Sequence, residues 1–153
     1  MKKSLSVAIT FLFVFNLSGY AQMLARMEVK DKIIGICDEK NVYVFFPMQK
    51  GEIEAVPPIS KKKIQEKLNS EVTFFKDSIN YQDKGMVDVI TNCKGEVVRC
   101  ETDTKTKHPE LDRQILLVFN NLGSWKPAKL NGEKVDMLNL LSFDIIDGKI
   151  ILN

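Results

Sequence analysis

Three cysteines, one histidine and a scatter of carboxylates are the side chains of this sequence that could do chemistry. Cys37, Cys93 and Cys100 could form a disulfide or, as thiolates, hold a metal, but the spacing from Cys93 to Cys100 is not that of a metal-binding pair and His108 has no matching cluster. The odd count leaves at least one thiol unpaired within a monomer. Cys93 falls at a turn and Cys100 on the inward side of a strand, so these two are not expected to pair with each other. Small buried thiols are the plainer reading of all three, and Cys37 or Cys93 bridging two copies of the chain is the other. His108 stands at a helix start with no nucleophile patterned around it, and Asp136 and Asp144 read as surface charges at the ends of a strand. No glycine-rich phosphate loop is present, and Lys61-Lys62-Lys63 reads as a solvated helix face rather than an anion patch. No catalytic, cofactor-binding or metal-binding set is expected, and no small-molecule substrate.

The elements that would carry function are therefore structural ones. Ser60 is a natural N-cap for a helix from Lys61, with Ile64, Leu68, Val72 and Phe75 at helical spacing. Residues 86–91 and 96–102 alternate apolar and polar around Asn92-Cys93-Lys94-Gly95, which predicts a hairpin. Pro109 opens a second helix whose stripe, Leu111, Ile115, Val118, Phe119 and Leu122, must lie on a sheet. Gly123 stops it. Trp125, Pro127 and the Asn131-Gly132 turn then form a corner, with the indole closing the end of the core. From there a strand runs over residues 135–145. Val135, Met137, Leu141, Phe143 and Ile145 share one face, interrupted by Asn139, while Leu138 and Leu140 make the other face apolar, either covered or free for a partner. Asp147-Gly148 predicts a final hairpin with 149–152.

Upstream, residues 23–31 show no period and read as an arm or a frayed turn. Residues 32–37 and 42–46 predict a strand pair ended by Pro47, and 51–58, with Pro57-Pro58, an extended connector. At the extreme N-terminus Lys2 and Lys3 precede a short apolar run over 5–17 and Gly19-Tyr20-Ala21, the pattern of a signal peptide cleaved before Gln22. That run is shorter than the roughly 20 residues of a membrane span, so an inner-membrane anchor facing the periplasm is the second reading. The 22 basic residues against 20 acidic include Lys2 and Lys3, so the remainder is electrically balanced and has no bulk attraction for nucleic acid. The expected organisation is a signal peptide over 1–21, an N-terminal segment over 22–58, and one domain over 59–153. Its class is α+β, an antiparallel sheet with two helices on one face, extended by an N-terminal hairpin and a C-terminal strand.

Residues 60–145 resemble the TonB C-terminal domain family. The resemblance rests on the leading helix, the Gly-x-Val-x-Val strand at 85–89, the Asn-x-x-Gly turn at 92–95, Leu111-Asp112 at the second helix, and above all Trp125-Lys126-Pro127-Ala128 with Asn131-Gly132 and Val135. It implies a periplasmic, non-enzymatic binding domain whose strand edge, over 135–145, pairs with an extended peptide of an outer-membrane transporter. Val135, Met137, Leu138, Leu140, Leu141 and Phe143 are the residues that would carry it. The chain departs from the family in lacking a long proline-rich spacer and the Tyr-Pro pair after the first helix, where it has Asn80-Tyr81-Gln82. Its 85–91 strand is short, and 149–152 extends past the usual end, toward the edge a peptide would use. Force transmission by this chain alone is not expected. A homodimer joined through the 32–46 and C-terminal hairpins is the alternative to peptide binding.

Overall fold

A computed structural model describes residues 25–28, 32–45 and 51–153 of the 153-residue chain. The signal segment over 1–21, its Gln22 junction and the Pro47 strand end lie outside the described residues.

Helix α1 covers Lys61–Glu71, and the Ser60 hydroxyl accepts a hydrogen bond from the Lys63 N–H at 3.4 Å. It buries Ile64 and Leu68. The stripe outlasts the helix: Val72 is its C-cap, and Phe75 is buried from a 3-10 turn over Phe74–Asp77. Strands β4 (Asp83–Thr91) and β5 (Val97–Thr104) follow, each longer than the alternation predicts because pairing continues through polar residues. Helix α2, Pro109–Asn120, buries Leu111, Ile115, Val118 and Phe119. After it come β6 (Ala128–Leu130), β7 (Glu133–Val135), β8 (Met137–Ile146) and β9 (Lys149–Leu152).

The N-terminal segment is built differently from the expected hairpin. Residues 32–38 form turns, and β2 (Asn41–Val44) pairs with β1 (Ala25–Glu28), which lies where no period is visible. Asp38 explains the break, since its carboxylate accepts from the Lys40 N–H and the Asn41 amide and fixes a tight turn there. A short strand β3 (Glu52–Ile53) pairs with β6.

The fold is α+β, with the main sheet ordered β1-β2-β8-β4-β5 and β9 also on β8. The sheet is not wholly antiparallel: β2 meets β8 in parallel, Tyr43 opposite Met137. A second, three-stranded sheet is ordered β3-β6-β7. Both helices pack on one face of the main sheet, where Leu68, Leu111, Ile115 and Phe119 meet Val87, Val89, Phe143 and Ile145. The opposite face carries a smaller cluster of Ile33, Val42, Ile90 and Leu138. Residues 32–38 thus lie as a strap over part of the sheet's second face. No described helix is long and apolar enough to cross a membrane.

Candidate functional site

Strand β8 is the centre of the main sheet and not its outer edge. On one side it pairs with β4 along its length, from Met137 opposite Thr91 to Ile145 opposite Asp83. On its other side β2 meets it at Met137, and β9 pairs with it from Phe143 to Ile146. The expected edge is therefore corrected in extent: Val135 belongs to β7, Met137 and Phe143 are buried in the main core, and Leu138 lies under the strap. A sequence pattern reports which face a side chain takes, but not how many neighbours its strand has.

Between those two partners lies a stretch of β8 with no described neighbour on this side. Among the described residues nothing pairs with 139–141 on the side away from β4. The Ser142 carbonyl accepts from Asn153 N–H and the Asp136 carbonyl from Tyr43 N–H, so the even-numbered residues aim their backbone groups at this side. By the two-residue repeat of a strand, Leu140 directs both its N–H and its C=O into the opening. A cavity of 320 Å³ lies there, walled by Phe45, Ala55, Pro57, Trp125, Leu140 and Leu141 among others. Leu140 is 51% exposed, whereas Trp125 is 4% exposed and its indole N–H has no acceptor among the described residues. The opening thus combines unpaired main chain with apolar walls. The described cavity lined by 82–84 with Lys107 and 144–146 lies beside β4 and β8 where the two strands are paired.

The corner builds one wall of this opening. Gly123 takes a positive φ of 93° after α2, and Trp125 donates its backbone N–H to the Gly95 carbonyl at 2.7 Å. Lys126 and Val56 exchange two backbone hydrogen bonds, which seats the 52–57 connector beside Pro127 and the indole. Asn131 and Gly132, with φ of 51° and 91°, make the hairpin turn between β6 and β7 rather than the entry to one long strand.

The other wall is tied down by a bond the sequence leaves open. Cys37 and Cys93 form an intramolecular disulfide, so neither is free to bridge two copies, and Cys100 is the free thiol. Burial, with Asp88 and Glu101 adding negative charge, pushes the Cys100 thiol up to about 12. Asp136 is not a surface charge: it is 1% exposed and accepts three backbone N–H groups, from Cys37, Asp38 and Cys93, at 2.7–2.8 Å. The Cys37 and Cys93 sulfurs and an Asp136 oxygen lie within 4.8 Å of one another, the only such three-residue cluster among the described residues. With the sulfurs joined and both oxygens accepting N–H groups, it is an anchoring point and not a ligand set.

Further candidates resolve into structure. His108 packs its ring on Phe74 at 5.0 Å and Tyr81 at 5.4 Å. Lys61, Lys62 and Lys63 are exposed. Asp144 is half-buried on β8. The outer side of β9 is occupied by α1, where the Asn69 amide bonds both the N–H and the C=O of Ile150 at 2.8 Å and Gln65 accepts from Leu152 N–H at 3.0 Å. That removes the C-terminal hairpin as a ready surface for pairing with a second copy.

Compared with family models, curated proteins and solved structures, the chain matches none.

Proposed function

We propose that this chain is an exported, non-enzymatic protein-binding module that accepts an extended peptide as an added strand against residues 139–141 of β8. The open stretch of β8 beside an apolar cavity is the observation that carries the reading. Unpaired N–H and C=O groups on a sheet strand are satisfied when a second chain lies alongside, and flanking pockets select its side chains. The resemblance of residues 60–145 to the TonB C-terminal domain supports the same mode. It makes extended segments of outer-membrane or periplasmic transport proteins the partner class, in the periplasm. The opening is short, so the guest pairs over about three residues and depends on side-chain burial against Phe45, Pro57 and Leu141 for the rest of its affinity.

Heptapeptides selected from a random library against the full chain test this. Selected peptides are expected to carry apolar, β-branched residues at alternate positions and to lose most of their affinity for Leu140→Pro. That substitution removes the N–H facing the opening and leaves the β4 ladder whole, since Leu140 makes no ladder bond on that side. Leu117→Ala, on the exposed side of α2, is the control. Selection of no peptide, or equal binding to folded Leu140→Pro, contradicts the reading.

A further inference from the structure

Residues 32–45, the strap together with β2, reach the opening at Val44 and Phe45 and are tied to the domain by the disulfide, the Asp136 carboxylate, the Asn92 amide and the hydrogen bond from Tyr43 N–H to the Asp136 carbonyl. Most of this segment's apolar contacts stand apart from the main core: Ile33 and Val42, with half-buried Ile36 and Val44, pack with Ile90 and Leu138, and the segment reaches the main core through Tyr43 and Phe45 at its end. Its polar ties converge on the disulfide. Asp136 accepts from Cys37, Asp38 and Cys93, and Asn92, beside Cys93, donates its side-chain amide to the Gly35 carbonyl at 2.9 Å. Cys37 is exposed, so the bond is open to attack from solvent, while both helices and β4, β5 and β9 are held by other contacts.

We propose that the Cys37–Cys93 disulfide is a redox-sensitive clasp that sets how much of the β8 edge is open. A dithiol reductant supplies the chemistry: its thiolate attacks Cys37 Sγ, the S–S bond breaks, and Cys93 leaves as a thiolate that takes a proton. The second thiol of the reductant then closes its own disulfide and releases Cys37 as a thiol, so two electrons and two protons pass to the protein. Without the bond, residues 32–45 lift from the second face, the Tyr43 contact with Met137 opens, and the unpaired stretch of β8 lengthens to 137–141. The clasp stands on geometry alone. Its consequence for a peptide rests on the binding mode proposed above.

Hydrogen exchange of the full chain, oxidised and in dithiothreitol, tests the clasp without any ligand. Reduction is expected to speed exchange by at least about tenfold in 32–45 and at the 138 amide, with β4, β5, the helices and β9 unchanged. The double variant Cys37→Ser, Cys93→Ser is expected to behave as the reduced protein does. Asp136→Asn, which turns an amide N–H toward backbone donors while leaving both cysteines in place, is expected to speed reduction by dithiothreitol. Unchanged exchange on reduction, loss of protection across the whole fold, or an Asp136→Asn disulfide reduced at the wild-type rate each overturns the clasp. The selected heptapeptides separate the two proposals: faster strap exchange with no gain in peptide affinity keeps the clasp and removes the binding site on β8.

Discussion

Asp136 decides how the N-terminal segment attaches, and it does so through three backbone donors that have no other partner among the described residues. Removing a buried acceptor strands its donors, so Asp136→Ala should lower stability in urea by about 3 kcal/mol. A loss within experimental error would mean the strap is not anchored there. In the sequence Asp136 reads as the polar end of a strand, because alternation cannot reveal that two distant turns close over it. Asp88 is the opposite case, a half-buried carboxyl on β4 with one oxygen lacking a partner. Burial pushes it up to about 6, with Asp103 and Glu101 adding repulsion. The raised value means that the unfolded chain loses this proton first. Stability from Asp88 is thus fully present below pH 4 and is lost as pH rises through 6. Asp88→Asn should remove that loss and raise stability at pH 7 by about 1 kcal/mol, the figure being discounted for solvent screening. An unaltered pH profile between 4 and 7 would contradict this.

At the scale of elements, the corner depends on a close approach that only glycine allows. A Cβ on Gly95 would fall 1.9 Å from the Trp125 carbonyl oxygen, and its φ is +87°. Gly95→Ala should therefore cost about 3 kcal/mol, read by thermal unfolding, and should shift the emission of the sole tryptophan. The two helices and the β4–β5 hairpin were legible because their signals are local: a cap, a stripe, an Asn and Gly turn. Strand β1 was not, since its partner β2 lies beyond the intervening strap, and β3 was hidden in a proline-containing connector whose partners are β6 and the corner. The face of each residue in 135–145 was legible from alternation, whereas the number of neighbours along β8 was not. Strand β9 was expected from Asp147-Gly148, but its cover by Asn69 and Gln65 could not be read. Asn69→Ala should cost about 1 kcal/mol and speed amide exchange at Ile150, where unchanged exchange would show that the amide is dispensable.

For the whole molecule, the sheet has one face buried by helices and another buried only in part, by a strap that a disulfide pins in place. Between that strap and the C-terminal hairpin, the central strand has a short stretch of backbone unpaired among the described residues, beside an apolar cavity. The candidate site was half legible. Leu138, Leu140 and Leu141 come from the strand pattern, and Trp125 from the corner. Phe45, Ala55 and Pro57 enter only because the N-terminal segment folds back on the domain. The central claim is that a guest strand pairs with this stretch, and amide exchange at Leu140 in the presence of a selected heptapeptide tests it most directly. The account predicts strong slowing at Leu140 together with a shifted indole N–H of Trp125, and little change at Phe143 and Ile145, whose N–H groups face β4. A bound peptide that leaves Leu140 exchanging as in the free protein would contradict it.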